Sequence, residues 1–300
     1  MNFRSVFTLG LAGAVALVAT TQAQSGDRER ERVRVRVRNQ VVERLVETRA
    51  FQTVIEQAAN DDPCRERGGD RDDYTFCEVR EENMSAGPLI VDAGTNGGIR
   101  IDGWDRNEIH VVAVINTHAR SDADAKALAS GVQIQAGSGK VSSTGPSTAR
   151  REGWSVSFRI SVPRHNDLDL TANNGGVSIS GVTGNIRFET SNGGVRLTDL
   201  GGDVRGETHN GGLSVMLGGA RWDGAGLDVE TTNGGVTLSI PDGYNVDLTT
   251  RTVNGGFRTE MPITVQGELT SRQGISTTLG AGGAPVRVRT TNGGLKINRR

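Results

Sequence analysis

"ETTNGG", Glu230–Gly235, decides the fold because the chain keeps returning to it. A near copy, "ETSNGG", stands at Glu189–Gly194, and "TTNGG" recurs at Thr290–Gly294. Asn-Gly-Gly begins at Asn96, Asn174, Asn192, Asn210, Asn233, Asn254 and Asn292. The later spacings are 18, 18, 23, 21 and 38 residues. A recurrence near 19 marks a repeat architecture, in which each unit buries its apolar face only against its neighbours. The spacing of 38 reads as two steps with a degenerate corner at Gln273-Gly274. The first spacing, 78, reads as about four steps, interrupted by "SDADAKALAS", Ser121–Ser130. Ser121 there caps a short helix, with Asp124 in the capping-box position.

Each repeat keeps one phase. Apolar residues stand six and four positions before the Asn, as Ile186 and Phe188 or Leu227 and Val229 do. A small residue stands two before it: Thr190, Thr208, Thr231, Thr252 and Thr290. Apolar residues follow at three and five after it, as at Val195 and Leu197. Such alternation predicts strands with one buried face. Second turns fall at Gly184-Asn185, Gly201-Gly202, Gly218-Gly219 and Asp242-Gly243.

Two architectures fit. In a meander, Asn-Gly would be a hairpin turn. In a parallel β-solenoid, each repeat is one coil and like positions stack about 4.8 Å apart. Asn itself recurs where a hairpin would accept Asp, and a second Gly follows where a hairpin needs none. Counting on from the inward Thr also turns the Asn inward. All three favour the solenoid, with stacked carboxamides satisfying one another as a structural ladder of Asn96, Asn174, Asn192, Asn210, Asn233, Asn254 and Asn292. The corner glycines are expected to take positive φ and to let coils approach. Outward charges at Arg187, Glu189, Arg196, Asp228, Glu230 and Lys296 argue against a membrane barrel.

Composition agrees. Gly is 42 of 300 residues and aromatics are 4%, so the core must be thin layers of Val, Ile, Leu and Thr. Formal net charge is −1, which disfavours nucleic acid as a partner. Arg4 followed by an apolar run from Val6 to Ala19 and Thr21-Gln22-Ala23 reads as a signal peptide over residues 1–23, cut after Ala23. No Cys follows the run, which disfavours a lipoprotein, and no later segment is apolar enough to span a membrane as a helix. Residues 24–60 read as a charged linker and a helix, with the helix over 41–59. Residues 61–86 read as a disulfide loop forming an N-terminal cap, and 87–300 as the solenoid. Cys64 and Cys77 are the only cysteines, and in an exported chain they are expected to pair. Arg299-Arg300 reads as charge guarding the open end of the stack.

The segment from Cys77 to Arg300 resembles the bacterial "putative adhesin" β-strand-repeat family of exported envelope proteins, a domain of unknown function. The pieces that carry the resemblance are "CEVRE" at Cys77–Glu81, "NGGIRIDGWDR" at Asn96–Arg106, "VETTNGGVTLSIPDGYNVDL" at Val229–Leu248 and the closing "TTNGGLKI". The resemblance implies a β-solenoid-like fold and export, and brings no catalytic residues.

The sequence offers little chemistry. His110, His118, His165 and His209 have no metal-binding spacing along one element, so no metal or cofactor is expected. No nucleophile elbow, phosphate loop or zinc-protease motif occurs. Glu189, Asp228 and Glu230, with Arg187 and Arg196, lie on outward positions of neighbouring repeats. They are the one set from which a catalytic cluster could be built, and a solvated strand face is the plainer reading. Trp104, Trp154 and Trp222 are candidate glycan contacts, or core-edge packing. The expectation is an exported protein of periplasm, cell surface or medium: a non-catalytic adhesin-like or scaffold module for a surface ligand, either glycan or envelope protein. The rival is a carbohydrate-active β-helix enzyme, a polysaccharide lyase or hydrolase.

Overall fold

The computed structural model describes Cys64, residues 74–260 and residues 274–300, all within the compact unit Pro63–Arg300. The signal peptide, the charged linker and the helix expected over 41–59 lie outside the described residues. So does Gln273.

The described residues form twenty strands and one helix, and the strands make two ten-stranded sheets. The first sheet runs, neighbour to neighbour, β1 (Tyr74–Ser85), β4 (Glu108–Ala119), β7 (Gly153–Pro163), β3 (Ile99–Trp104), β9 (Val177–Ser180), β11 (Val195–Thr198), β13 (Leu213–Met216), β15 (Val236–Ile240), β20 (Leu295–Arg299) and β17 (Phe257–Thr259). The second runs β18 (Gly274–Leu279), β16 (Val246–Asn254), β19 (Pro285–Asn292), β14 (Gly226–Asn233), β12 (Gly201–Asn210), β10 (Thr183–Asn192), β8 (Leu168–Ala172), β2 (Leu89–Asp92), β6 (Lys140–Thr144) and β5 (Gln133–Gly137).

One coil is a strand of the second sheet, an Asn-Gly-Gly corner, and a strand of the first. Neighbouring coils run parallel and in register: Ile186 lies beside Val204, Val195 beside Leu213, Asn192 beside Asn210. The fold is therefore a β-solenoid rather than a meander. Inward residues of both sheets make one core, with Ile186, Val204, Leu227 and Val286 from one side and Val195, Leu213, Val236 and Leu295 from the other. In the next inward column, which includes Leu170 and Val229, a change of size is compensated. Phe188 lies in register with Gly206, whose missing side chain leaves room for the ring: a Cβ there would stand 2.5 Å from it.

Three features differ from the sequence expectation. The 78-residue spacing does not hold the four steps expected: β3 pairs directly with β9, and the segment adds only one further parallel layer, β6 beside β2 and β7 beside β3, on the far side of that coil. The intervening chain instead builds an antiparallel cap in which β4 lies between β1 and β7. These strands alternate like the coils but run 11 or 12 residues without a corner. The 38-residue spacing also lacks a coil: β18 runs antiparallel to β16 at the edge of the second sheet. Finally, the coil β19–β20 sits between β14–β15 and β16–β17, so the stack is out of chain order. Arg299 and Arg300 consequently do not guard an open end. Arg299 bonds Asp242 in the turn after β15, and Arg300 donates to Asp199 in the turn after β11 at 2.8 Å.

The cap contains α1 (Asp122–Gly131), whose N-cap Ser121 accepts from the Asp124 amide at 3.1 Å. Arg80 of β1 donates to the Ala129 and Val132 carbonyls at the other end of α1, where cations are favoured. Cys64 and Cys77 form a disulfide, with Cα atoms 5.9 Å apart. Cys77 itself lies in β1, so the strand begins inside the segment read as a disulfide loop.

Candidate functional site

The corner explains the site. Thr at two before the Asn is buried, and its hydroxyl donates to the first-glycine carbonyl of the neighbouring coil. This holds for Thr190 to Gly175, Thr208 to Gly193, Thr231 to Gly211, Thr290 to Gly234 and Thr252 to Gly293, each at 2.8 Å. The Asn side chains are exposed rather than inward: the strand runs on through the Asn, but the buried alternation ends at the Thr, and neither of the next two residues is buried. They still stack. Asn174 donates to Asn96 at 3.0 Å, Asn192 to Asn174, Asn210 to Asn192 and Asn233 to Asn210 at 2.9 Å, and Asn292 to Asn233 and Asn254 to Asn292 at 2.8 Å. Each such bond uses one N–H and one lone pair of a carboxamide, leaving further capacity on each toward water.

None of the triplet glycines has positive φ; the left-handed glycines lie at the other turn, at Gly181, Gly202, Gly219 and Gly243. The first glycine of each triplet is required by contact. A Cβ on Gly193 or Gly211 would stand 2.1 or 2.0 Å from the neighbouring glycine carbonyl oxygen. The second glycine faces outward, and a Cβ on Gly194 or Gly212 would meet its nearest atom at 3.5 or 3.6 Å.

These second glycines form the floor of a groove of about 590 Å³ on the outer face of the first sheet. Gly98, Gly176, Gly194, Gly212 and Gly235 run down it, with Ser157 at the capped end. Two residues onward along each strand stands the next outward row: Arg159, Arg100, Ser178, Arg196, Ser214 and Thr237. The same row continues past the groove as Lys296 and Arg258. Five of these eight positions are cations and none is an acid. Arg100 is held by Asp102 at 2.7 Å and Lys296 by Glu260 at 2.8 Å, both on the solvent side. Arg159 and Arg196 pair with no described acid.

The second sheet is of mixed sign. Its rows read Asp169, Arg187, Arg205, Asp228, Arg287 and Thr171, Glu189, Glu207, Glu230, Arg289. The cluster that could have been catalytic is divided. Arg196 lies on the first sheet, while Arg289 ties both Asp228 and Glu230 at 2.9 and 3.1 Å. Glu189, Glu207 and His209 do come together, with donor atoms within 4.8 Å of one another. Among the described residues these three could hold a metal ion. Inspection along single elements misses the set because Glu189 is on β10 and the others are on β12.

The tryptophans share no face. Trp222 is 5% exposed and its indole N–H donates to Gly202, so it is core and not a glycan contact. Trp154 is half-buried, and its N–H donates to Pro146. Trp104 carries Arg106 4.8 Å above its ring centroid and donates to the Glu108 carbonyl. Beside it the Arg164 guanidinium, hydrogen-bonded to Asp105, holds that carboxyl below its usual range.

The arrangement is that of a capped, two-sheet parallel β-solenoid presenting a long outward groove. The family described as Toastrack DUF4097 matches residues 94–298, about two thirds of the sequence. The chain belongs to this family. Solved structures similar to it include a "putative cell adhesion protein" from Clostridium sporogenes, 10% identical over 74% of this chain and 100% of the other, with a TM-score of 0.38. A "putative adhesin" from Bacteroides fragilis is 8% identical over 75% and 97%, with a TM-score of 0.30. A "putative lipid binding protein" from Parabacteroides distasonis is 10% identical over 75% and 96%, with a TM-score of 0.26. Curated proteins yield no match.

Proposed function

We propose that the chain is an exported, non-catalytic binding module that holds a ligand of the cell envelope along the groove of the first sheet. The observation that carries this is the groove itself: six mutually parallel strands contribute equivalent outward positions to one continuous channel. Repetition of a shallow contact suits many weak interactions with an extended ligand. The rival reading, a glycan-cleaving enzyme, needs opposed acids flanking a bound sugar. Here Asp228 and Glu230 are both tied to one arginine, Arg289, and neither Glu189 nor Glu207 lines the groove. Among the described residues no helix is long and apolar enough to cross a membrane.

The test uses the variant Gly212→Phe. The Cβ fits at 3.6 Å and the ring projects into the channel. Capture of envelope material by the processed protein should be lost in this variant with the melting temperature unchanged. Glu189→Gln and Glu207→Gln, on the other sheet, should leave capture intact. Capture that survives Gly212→Phe would move the site elsewhere. Export predicts a mature N-terminus at Gln24, readable by intact-mass measurement of the secreted protein.

A further inference from the structure

We infer that the groove takes a linear polysaccharide bearing carboxylates, laid along the stack axis across the strands. This rests on the groove being the binding site.

The first argument is sign. In the row from Arg159 to Arg258 every charged side chain is a cation, whereas each row of the opposite sheet mixes signs. The stripe is thus of a single sign, in a sequence whose formal net charge is −1, and it borders the groove. Arginine presents a planar fork that matches a carboxylate with two parallel N–H bonds. Arg159 and Arg196 have no described acid to satisfy that fork.

The second argument is shape. Six strands at about 4.8 Å make a channel about 24 Å long. That accommodates a chain of several sugar rings, not a single small molecule. The floor is glycine, so the occupant reaches the backbone surface. Between the cations stand Ser178, Ser214 and Thr237, hydroxyls that can both donate to and accept from sugar hydroxyls.

Other polyanions fit less well. Single-stranded nucleic acid binding relies on aromatic platforms for its bases, and the only aromatic lining the groove, Phe158, has its side chain buried in the core. A peptide strand binds by pairing with a sheet edge. The groove lies on a sheet face, whose backbone groups are already paired within the stack.

The experiment measures binding of the processed full chain to polygalacturonate by calorimetry at low and high salt. Dextran, polyglutamate and an oligonucleotide are run beside it. Polygalacturonate should bind, with affinity falling as salt rises, and dextran should not. The double variant Arg159→Ala/Arg196→Ala should weaken binding roughly tenfold, and Arg187→Ala on the other sheet should not. Circular dichroism confirms that each variant is folded, and Arg196→Gln replaces Arg196→Ala if it is not. Binding to dextran at equal strength, or binding indifferent to the double variant, would overturn the inference. So would tighter binding of polyglutamate or the oligonucleotide. If polygalacturonate fails while Gly212→Phe still abolishes envelope capture, the groove stands and only its occupant is wrong. If Gly212→Phe leaves capture intact, the groove itself is wrong.

Discussion

Two adjacent glycines of one triplet carry different constraints. On Gly193 an added methyl would stand 2.1 Å from the Gly175 carbonyl oxygen, and its three nearest neighbours are all backbone atoms of the adjoining coil; on Gly194 the nearest atom is at 3.5 Å. Gly193→Ala should therefore cost at least about 2 kcal/mol in urea unfolding, and Gly194→Ala within about 0.5 kcal/mol. The buried Thr hydroxyl matters similarly. Thr208→Val keeps the shape but strands the Gly193 carbonyl, and should cost about 1–3 kcal/mol by the same measurement. The sequence made the corner legible through its spelling, yet concealed which way its residues face. Parity counting carries a side chain's direction only while the strand stays extended. It fails at the last two residues of β12, after Thr208, which are both exposed just before the bend at Gly211. Tyr244 offers a further check. Burial pushes its hydroxyl up to about 12 from 10.0, so its neutral form is favoured in the fold. Its contribution is complete below pH 10 and is lost as pH rises through about 12. The urea midpoint should drop over that window, and less so in Tyr244→Phe.

The strands of the coils were readable because a corner punctuates them every 18 to 23 residues. The cap was not, because β4 and β7 share the same period-two pattern, and periodicity alone does not tell a parallel neighbour from an antiparallel one. The missing Asn-Gly-Gly between Asn96 and Asn174 was the available signal. Local chemistry did succeed at α1, where Ser121 is the N-cap. Within the cap the disulfide joins Cys64 to the fourth residue of the sheet-edge strand β1. Reducing it opens a loop of sequence separation 13 and should remove about 3 kcal/mol, seen as a lower melting temperature with reductant. Cys77→Ser should melt at the reduced temperature whether or not reductant is present.

Across the whole molecule, the repeat period foretold the stack but not its order. Sequence neighbours usually become neighbours in space, and the coils are so alike in register that their pattern cannot say which one lies beside which. The coil β19–β20 contacts β14–β15 on one side and β16–β17 on the other. Long-range closure of this kind is slow. Refolding from urea should show a slow phase that disappears when the chain is ended at Ala284, measured by stopped-flow fluorescence of the buried Trp222. The groove was less legible still. Arg100, Arg159 and Arg196 are 37 to 96 residues apart, and only the in-register stack lines them up.

An arch stands only when its keystone is dropped between stones already set, and β19–β20 occupies that position. During synthesis this piece emerges after both of its flanking courses, so until then they face each other across a gap. A nick near Arg299 would accordingly not peel an outermost coil from the stack. It would loosen the masonry from within.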